Sequence, residues 1–304
     1  MKSPAELPNK MAEFLPLLQD ETWCTSYAFY LRWPNGFICH SCQTHHPEIR
    51  PQKNPVCRTC GKRSSVTAGT LMHSSKKQLC KWFQAVWWIS SDTSSLNIKK
   101  MQRQLHLNSY QTAWIWMTKL RLAMQVLIYK KCQGTVLIDS EPMVGKVEKG
   151  SLAPLLAGVE SIADGRTTGR IRMMFCQARD PAVVSHFCDR SIQPGSIIVA
   201  PYRDPFISVE TADHIYTLDK GRTFHNTVQS LFSTYHNWHG QKKYRSVSPR
   251  SQQDCLDEFC FLQNSTLYPS RLHLFEHLIT AVLKHFPAPA GTYAGRTDLE
   301  RGVA

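Results

Sequence analysis

Four cysteines carry the most specific chemical pattern in the chain. Cys39 and Cys42 stand in "CHSC" and Cys57 and Cys60 in "CRTCGK", two C-x2-C pairs separated by fourteen residues. Thiolates two residues apart reach one ion, and two such pairs complete a tetrahedral shell of four sulfurs around Zn2+. No position is left for water, so the chemistry is structural and not catalytic. Gly61 follows the second pair, where a tight turn aims backbone amides at sulfur. His40, His45 and His46 are near enough to replace a thiolate, but a complete set of four cysteines needs no substitute. Cys24, Cys80, Cys132, Cys176, Cys188, Cys255 and Cys260 lack paired spacing and read as small core residues.

These ligands need a scaffold. Aromatic and β-type residues around the first pair, "FYLRWPNGFIC", fit short hairpins, and the whole segment reads as a zinc ribbon. A ribbon this small buries little core, so the metal supplies much of its folding free energy. Beyond it the apolar period becomes helical. "KKQLCKWFQAVWWIS" sets Leu79, Phe83, Val86 and Ser90 on one face. Ser94 or Ser95 offers an N-cap for "LNIKKMQRQL", and Ser109 one for "YQTAWIWMTKLRLAMQVLI". Helix, turn and helix is the arrangement that lays its second element in the major groove of double-stranded DNA. Gln111, Thr112, Trp114 and Lys119 are the outward groups expected on that helix, with Lys99, Lys100 and Arg103 placed for phosphates.

The charge distribution favours the same partner. Residues 1–134 hold 18 Lys/Arg against 6 Asp/Glu, a net +12, whereas residues 135–304 hold 18 against 17. Nearly all the excess lies in the half that carries the ribbon and the helices, which points to a polyanion. No apolar stretch approaches the length of a membrane span, so no membrane partner is expected. The first residues, "MKSPAELPNKMAEF", lack the apolar core of a signal peptide. The expected location is the cytoplasm, associated with the nucleoid, with reduced thiols.

The order of these segments resembles a specific family. "GFICHSC", then "CRTCGKRSSVTAGTLMHSSKKQLCKWFQAVWW", then "TAWIWMTKLRLAM" is similar to the front half of the zinc-ribbon insertion-sequence transposases of bacteria (ISXO-type). Downstream, "GTVLIDSEPMVG", "LLAGVES", "GRIRMMFCQA" and "PGSIIVAPY" resemble the first four strands of that family's ribonuclease H-like DDE domain. "FHNTVQSLFSTYHNWHGQKKYRSV" and "CLDEFCFLQN" resemble its later helical segments. From the residues alone, strand-like runs at 135–139, 155–161, 170–176 and 196–200 with helical stretches between them give an α/β domain.

The resemblance implies three acids that hold two divalent ions, one activating the attacking oxygen and one stabilising the leaving oxygen. Residue by residue, those positions fall on Asp139, Ala200 and Gln229. A methyl group cannot ligate Mg2+, and a neutral amide is a weak ligand, so the triad reads as degenerate and Asp139 as a remnant. The acid the family carries straight after the first is Ser140 here, with Glu141 one further on. A second reading keeps an active transposase that cleaves and transfers DNA strands with Mg2+, Asp139 and shifted acids, Asp204 foremost.

The expected fold class is α+β and α/β, multidomain. An N-terminal extension (1–22) leads into a zinc ribbon (23–72) and a helix-turn-helix (73–131). A ribonuclease H-like mixed sheet flanked by helices (132–286) and a disordered tail (287–304) follow. The expected partners are double-stranded DNA and either a second copy of the chain or an active transposase.

Overall fold

The computed structural model describes residues 7–8, 11–73, 78–91, 97–128, 130–142, 154–162, 168–176, 181–201, 215–219, 222–241 and 249–284. Packing divides the chain into two units. The first comprises Met1–Asp92, Ile98–Ala123 and Leu272–Ala304, and the second Thr93–Asn97 and Met124–Arg271. No helix among the described residues is long and apolar enough to cross a membrane. The expected tail, the caps at Ser94 and Ser95, and Asp204 all lie outside the described residues.

In the first unit, α1 (Met11–Leu17) and α2 (Glu21–Arg32) precede a two-stranded hairpin of β1 (Phe37–Ile38) and β2 (His45–His46). The helices α3 (Leu79–Ser91), α4 (Ile98–Gln104) and α5 (Tyr110–Ile128) follow, and α9 (Arg271–Lys284) returns from the far end of the chain. "FYLRW" therefore closes a helix and does not open a hairpin. The Asp20 carboxylate accepts from the amides of Thr22 and Trp23 at 2.8 and 3.2 Å and starts α2. Trp23 stacks on Tyr27 one turn later, centroids 5.0 Å apart. Packing thus outweighs the β-propensity of those aromatics.

Buried aromatic rings hold this unit together. Phe14 of α1 meets Trp87 of α3 at 5.1 Å and Phe275 of α9 at 5.0 Å, both edge-on. Phe14 lies in the stretch read as an extension, yet it is fully buried. Leu79, Phe83, Val86 and Ser90 of α3 are all buried, and so is Trp82 on another side. Trp82 stacks on Trp116 of α5 at 3.9 Å. Both carboxylate oxygens of Glu21 accept from the first amides of α3, Leu79 and Cys80, at 3.0 and 2.9 Å. An acidic group at that helix start satisfies orphan donors and matches the positive end of the dipole.

The turn between α4 and α5 is built without glycine. His106 takes φ +49°. Leu107 N donates to Gln102 O at 2.9 Å and His106 N to Arg103 O at 3.2 Å. Those two bonds with one left-handed residue are the Schellman termination, here with histidine in the usual glycine position. Three residues on, Ser109 Oγ accepts from Thr112 N at 3.1 Å and caps α5 as its sequence predicts.

The second unit is a five-stranded mixed sheet. Its strands are β3 (Thr135–Pro142), β4 (Pro154–Ser161), β5 (Thr168–Phe175), β6 (Ile197–Pro201) and β7 (Ile215–Asp219), in the order β5-β4-β3-β6-β7. β3 is antiparallel to β4 and β4 to β5, whereas β6 runs parallel to β3 and β7 parallel to β6. α6 (Pro181–Ser191), α7 (Arg222–Gln241) and α8 (Pro249–Asn264) accompany the sheet. Val136, Ile138, Leu156, Ile198 and Ala200 pack with Val184, Phe187 and Cys188 of α6. Phe187 comes so close to β4 that a β-carbon at Gly158 would lie 3.2 Å from its ring, so only glycine fits there without a shift.

The open edge of β5 is covered by two side-chain amides of α8. Asn264 accepts from Ile171 N at 2.8 Å and donates to Ile171 O at 3.0 Å. Gln253 accepts from Phe175 N at 2.9 Å and donates to Met173 O at 3.2 Å. A helix thereby supplies the hydrogen bonds that a further strand would otherwise make and blocks edge-to-edge pairing.

Candidate metal centre and nucleic-acid interface

The two cysteine pairs fold into matching turns. Cys39 N donates to Thr44 O at 3.0 Å and Gln43 N to Cys39 O at 2.9 Å. The second pair repeats this with Cys57 N to Lys62 O and Gly61 N to Cys57 O, both 2.9 Å. The residue after each pair is left-handed, Gln43 at φ +58° and Gly61 at φ +68°. Gly61 was legible as a turn residue, because glycine adopts that conformation freely. Gln43, its structural counterpart, carries no such signal.

The turns bring all four sulfurs within 4.8 Å of one another. Cys39 Sγ and Cys60 Sγ are 3.7 Å apart, and Cys42 Sγ and Cys57 Sγ 3.5 Å. A tetrahedral ion with metal–sulfur bonds of about 2.3 Å separates its sulfurs by about 3.8 Å. The cage is therefore sized for a metal such as zinc. Surrounding donors favour the thiolate form at two of the four positions, whereas Cys60, despite the Lys62 amide, is pushed up to about 11 by burial and the neighbouring sulfurs. The Thr44 hydroxyl and amide hold Cys42 down to about 6, and the Cys42 amide keeps Cys39 below the ordinary thiol range. His46 is not a fifth ligand but a neighbour. Its Nε2 lies 3.2 Å from Cys57 Sγ and its Nδ1 3.3 Å from Glu48 Oε1. Such a contact orients a ligating sulfur and offsets part of its charge.

On α4 and α5 the expected DNA-facing groups divide. Lys99 and Arg103 are exposed on α4, and Lys100 Nζ sits 5.9 Å above the Trp88 ring. Gln111 is exposed, whereas the Thr112 hydroxyl bonds to Ser109 Oγ at 2.9 Å. Lys119 is not an outward group. Its ammonium donates to His73 O at 3.0 Å, and burial lowers its pKa. Tyr110 and Trp114 are exposed on α5, and Tyr110 joins Lys99, Gln102 and Arg103 in lining an open groove of about 500 Å³.

In the second unit, Asp139 is almost fully buried on β3. Its Oδ1 accepts from Ser140 N at 2.8 Å and its Oδ2 from Gln229 Nε2 of α7 at 2.9 Å. The sheet and α7 thus bring two of the three triad positions together across ninety residues. Glu141, two residues on and so on the same side of the strand, meets His236 Nε2 at 3.2 Å. Ala200 is not brought to this group. It lies in the apolar cluster on the α6 side with Ile138 and Phe187. The register pairs Leu137 with Val199, and strand positions alternate sides, so the β6 positions sharing the side of Asp139 are 197, 199 and 201.

Among the described residues, those around Asp139 do not supply the acids that a pair of Mg2+ ions needs. Gln229 offers a neutral amide to Asp139, and Ala200 lies with its methyl group in the apolar cluster on the other side of the sheet. Among the described residues, the four cysteines are the only group of three or more metal-type side chains close enough to share an ion.

Compared with known proteins, the chain matches no protein-family model and no curated protein.

The four cysteines cluster as their spacing predicts, and Asp139 and Gln229 are in contact, but four features carried no reading in the sequence: the partnership of Glu141 and His236, the contact of His46 with Cys57, the strand β7, and the exposure of Tyr110. The signal for the first was present in the alternation of Asp139 and Glu141 along one strand.

Proposed function

We propose that this protein binds double-stranded DNA through a zinc-held ribbon and the α4–α5 pair, and carries a ribonuclease H-like domain that does not cut strands. In this reading it is a relative of the zinc-ribbon transposases that acts as a DNA-binding regulatory or accessory subunit. The observation that carries the reading is the contact between Gln229 and Asp139. The resemblance assigns both residues to one site, and their contact supports the assignment. The strand order β5-β4-β3-β6-β7, with only β4 antiparallel to both of its neighbours, supports it as well. So does the net +12 of residues 1–134. Zn2+ holds Cys39, Cys42, Cys57 and Cys60 and stiffens the ribbon. Gln229 holds the carboxylate of Asp139 in place of a metal.

A gel assay with labelled duplex and millimolar Mg2+ or Mn2+ tests the inactive site. The expected result is a retarded complex with no cleaved or joined strands. Cleavage that disappears in Asp139→Ala would overturn the reading in favour of the active enzyme with shifted acids.

A further inference from the structure

Resting on that DNA-binding reading, we propose that Tyr110 and Trp114 form a stacking platform for unpaired bases, flanked by the cations of α4. Among the described residues these two are the only aromatic side chains so exposed, at 47% and 46%, and Ile115 beside them is 41% exposed. They stand four residues apart, on one face of the helix and one turn from each other. The opposite face of α5 is committed to the core through Ala113, Trp116, Met117 and Leu120. Nothing in the packing of α5 therefore calls for large rings at 110 and 114. Two large rings exposed one turn apart, with Ile115 beside them, give an apolar surface that a binding partner can cover.

Charge selects the occupant. Lys99 and Arg103 line the same groove as Tyr110, within a half of the chain that carries +12. A second copy of the chain would bring like charge to like charge, whereas a phosphate backbone complements it. The ring faces select the form of the nucleic acid. A duplex shows only base edges in its grooves, because the faces of its bases are stacked on one another. Unpaired bases offer faces, and an aromatic side chain beside a cationic track is the usual receiver for them.

The test compares binding of a single-stranded oligonucleotide and its duplex by the full-length zinc-loaded protein, for wild type, Tyr110→Ala, Trp114→Ala and Trp114→Phe. Thermal melting of each variant checks that it folds. The expected result is a loss of about 5- to 100-fold in single-strand affinity for each alanine variant. Trp114→Phe is expected to restore most of it, and each alanine variant to lose more single-strand than duplex affinity. Single-strand affinity unchanged in both alanine variants, with duplex binding intact, overturns the platform and leaves the DNA-binding reading standing. A shift of a monomer–dimer equilibrium in Trp114→Ala, without loss of single-strand binding, assigns the patch to self-association and also overturns it. Failure of the wild type to bind either form sinks the DNA-binding reading itself.

Discussion

In the proposed zinc-held ribbon, Cys57→Ser removes the stoichiometric metal and unfolds the segment between Phe37 and Arg63. Zinc binding by small cysteine-rich modules is worth about 10–16 kcal/mol at neutral pH, and in them it is also folding free energy. Beyond the turns around the cysteines and the packing of Phe37 on Trp33, strand pairing adds little to this segment. Its hairpin pairs only Phe37 with His46 and Ile38 with His45, and a single bridge joins Val56 to Arg63. Removing one sulfur leaves three, and the His46 contact goes with it, since His46 Nε2 faces Cys57 Sγ. A chromophoric chelator should release one zinc per chain from the wild type and much less than one from the variant. Limited proteolysis should then cut the variant between residues 37 and 63, while β3–β7 stay protected. Zinc affinity in the wild type should fall as pH falls, because protons compete for the thiolates.

Gln229→Glu destabilises the second unit at neutral pH by about 2–3 kcal/mol. The wild-type amide donates to a buried carboxylate, and a hydrogen bond to a charged group contributes about 1.5–3 kcal/mol. The variant replaces that donor with a second negative charge. Two facing carboxylates raise the pKa of one of them above its unfolded value. The deficit is therefore absent below the unfolded carboxylate pKa and grows as pH rises through the raised one. Melting of the variant should approach that of wild type toward pH 4 and fall behind it at pH 7. Gln229→Ala, which loses the donor but adds no charge, separates the two effects. Mn2+ should stabilise Gln229→Glu and leave the wild type unmoved. An ion at a hundred times its Kd contributes about 2.7 kcal/mol, or several degrees of melting temperature for a unit of this size.

Local signals carried well from sequence to structure. The Ser109 cap, the apolar period of α3 and the paired cysteines each act within a few residues, so "LCKWFQAVWWIS", Ser109 and the two knuckles were legible. "FYLRW" was misleading because its local β-preference loses to Asp20 capping and ring packing along α2. Long-range choices left no local trace. α9 is a plain amphipathic helix in sequence, and nothing in it says that Phe275 packs against Phe14 in the first unit. The resemblance alone joined Asp139 to Gln229, and it carried Ala200 with them. Strand alternation then set Ala200 on the other side of the sheet, a one-residue matter that a motif comparison does not resolve.

The salt dependence of duplex binding tests the central claim most directly. Fluorescence anisotropy of a labelled duplex, titrated with the zinc-loaded protein from low to physiological salt, gives the slope of log affinity against log salt. The cations Lys99, Lys100 and Arg103 alone contribute roughly −0.9 each, so a slope of about −3 or steeper is expected, flattened by about 3 when all three become alanine. A slope near zero, or one the triple variant leaves unchanged, would contradict DNA binding through the α4–α5 surface.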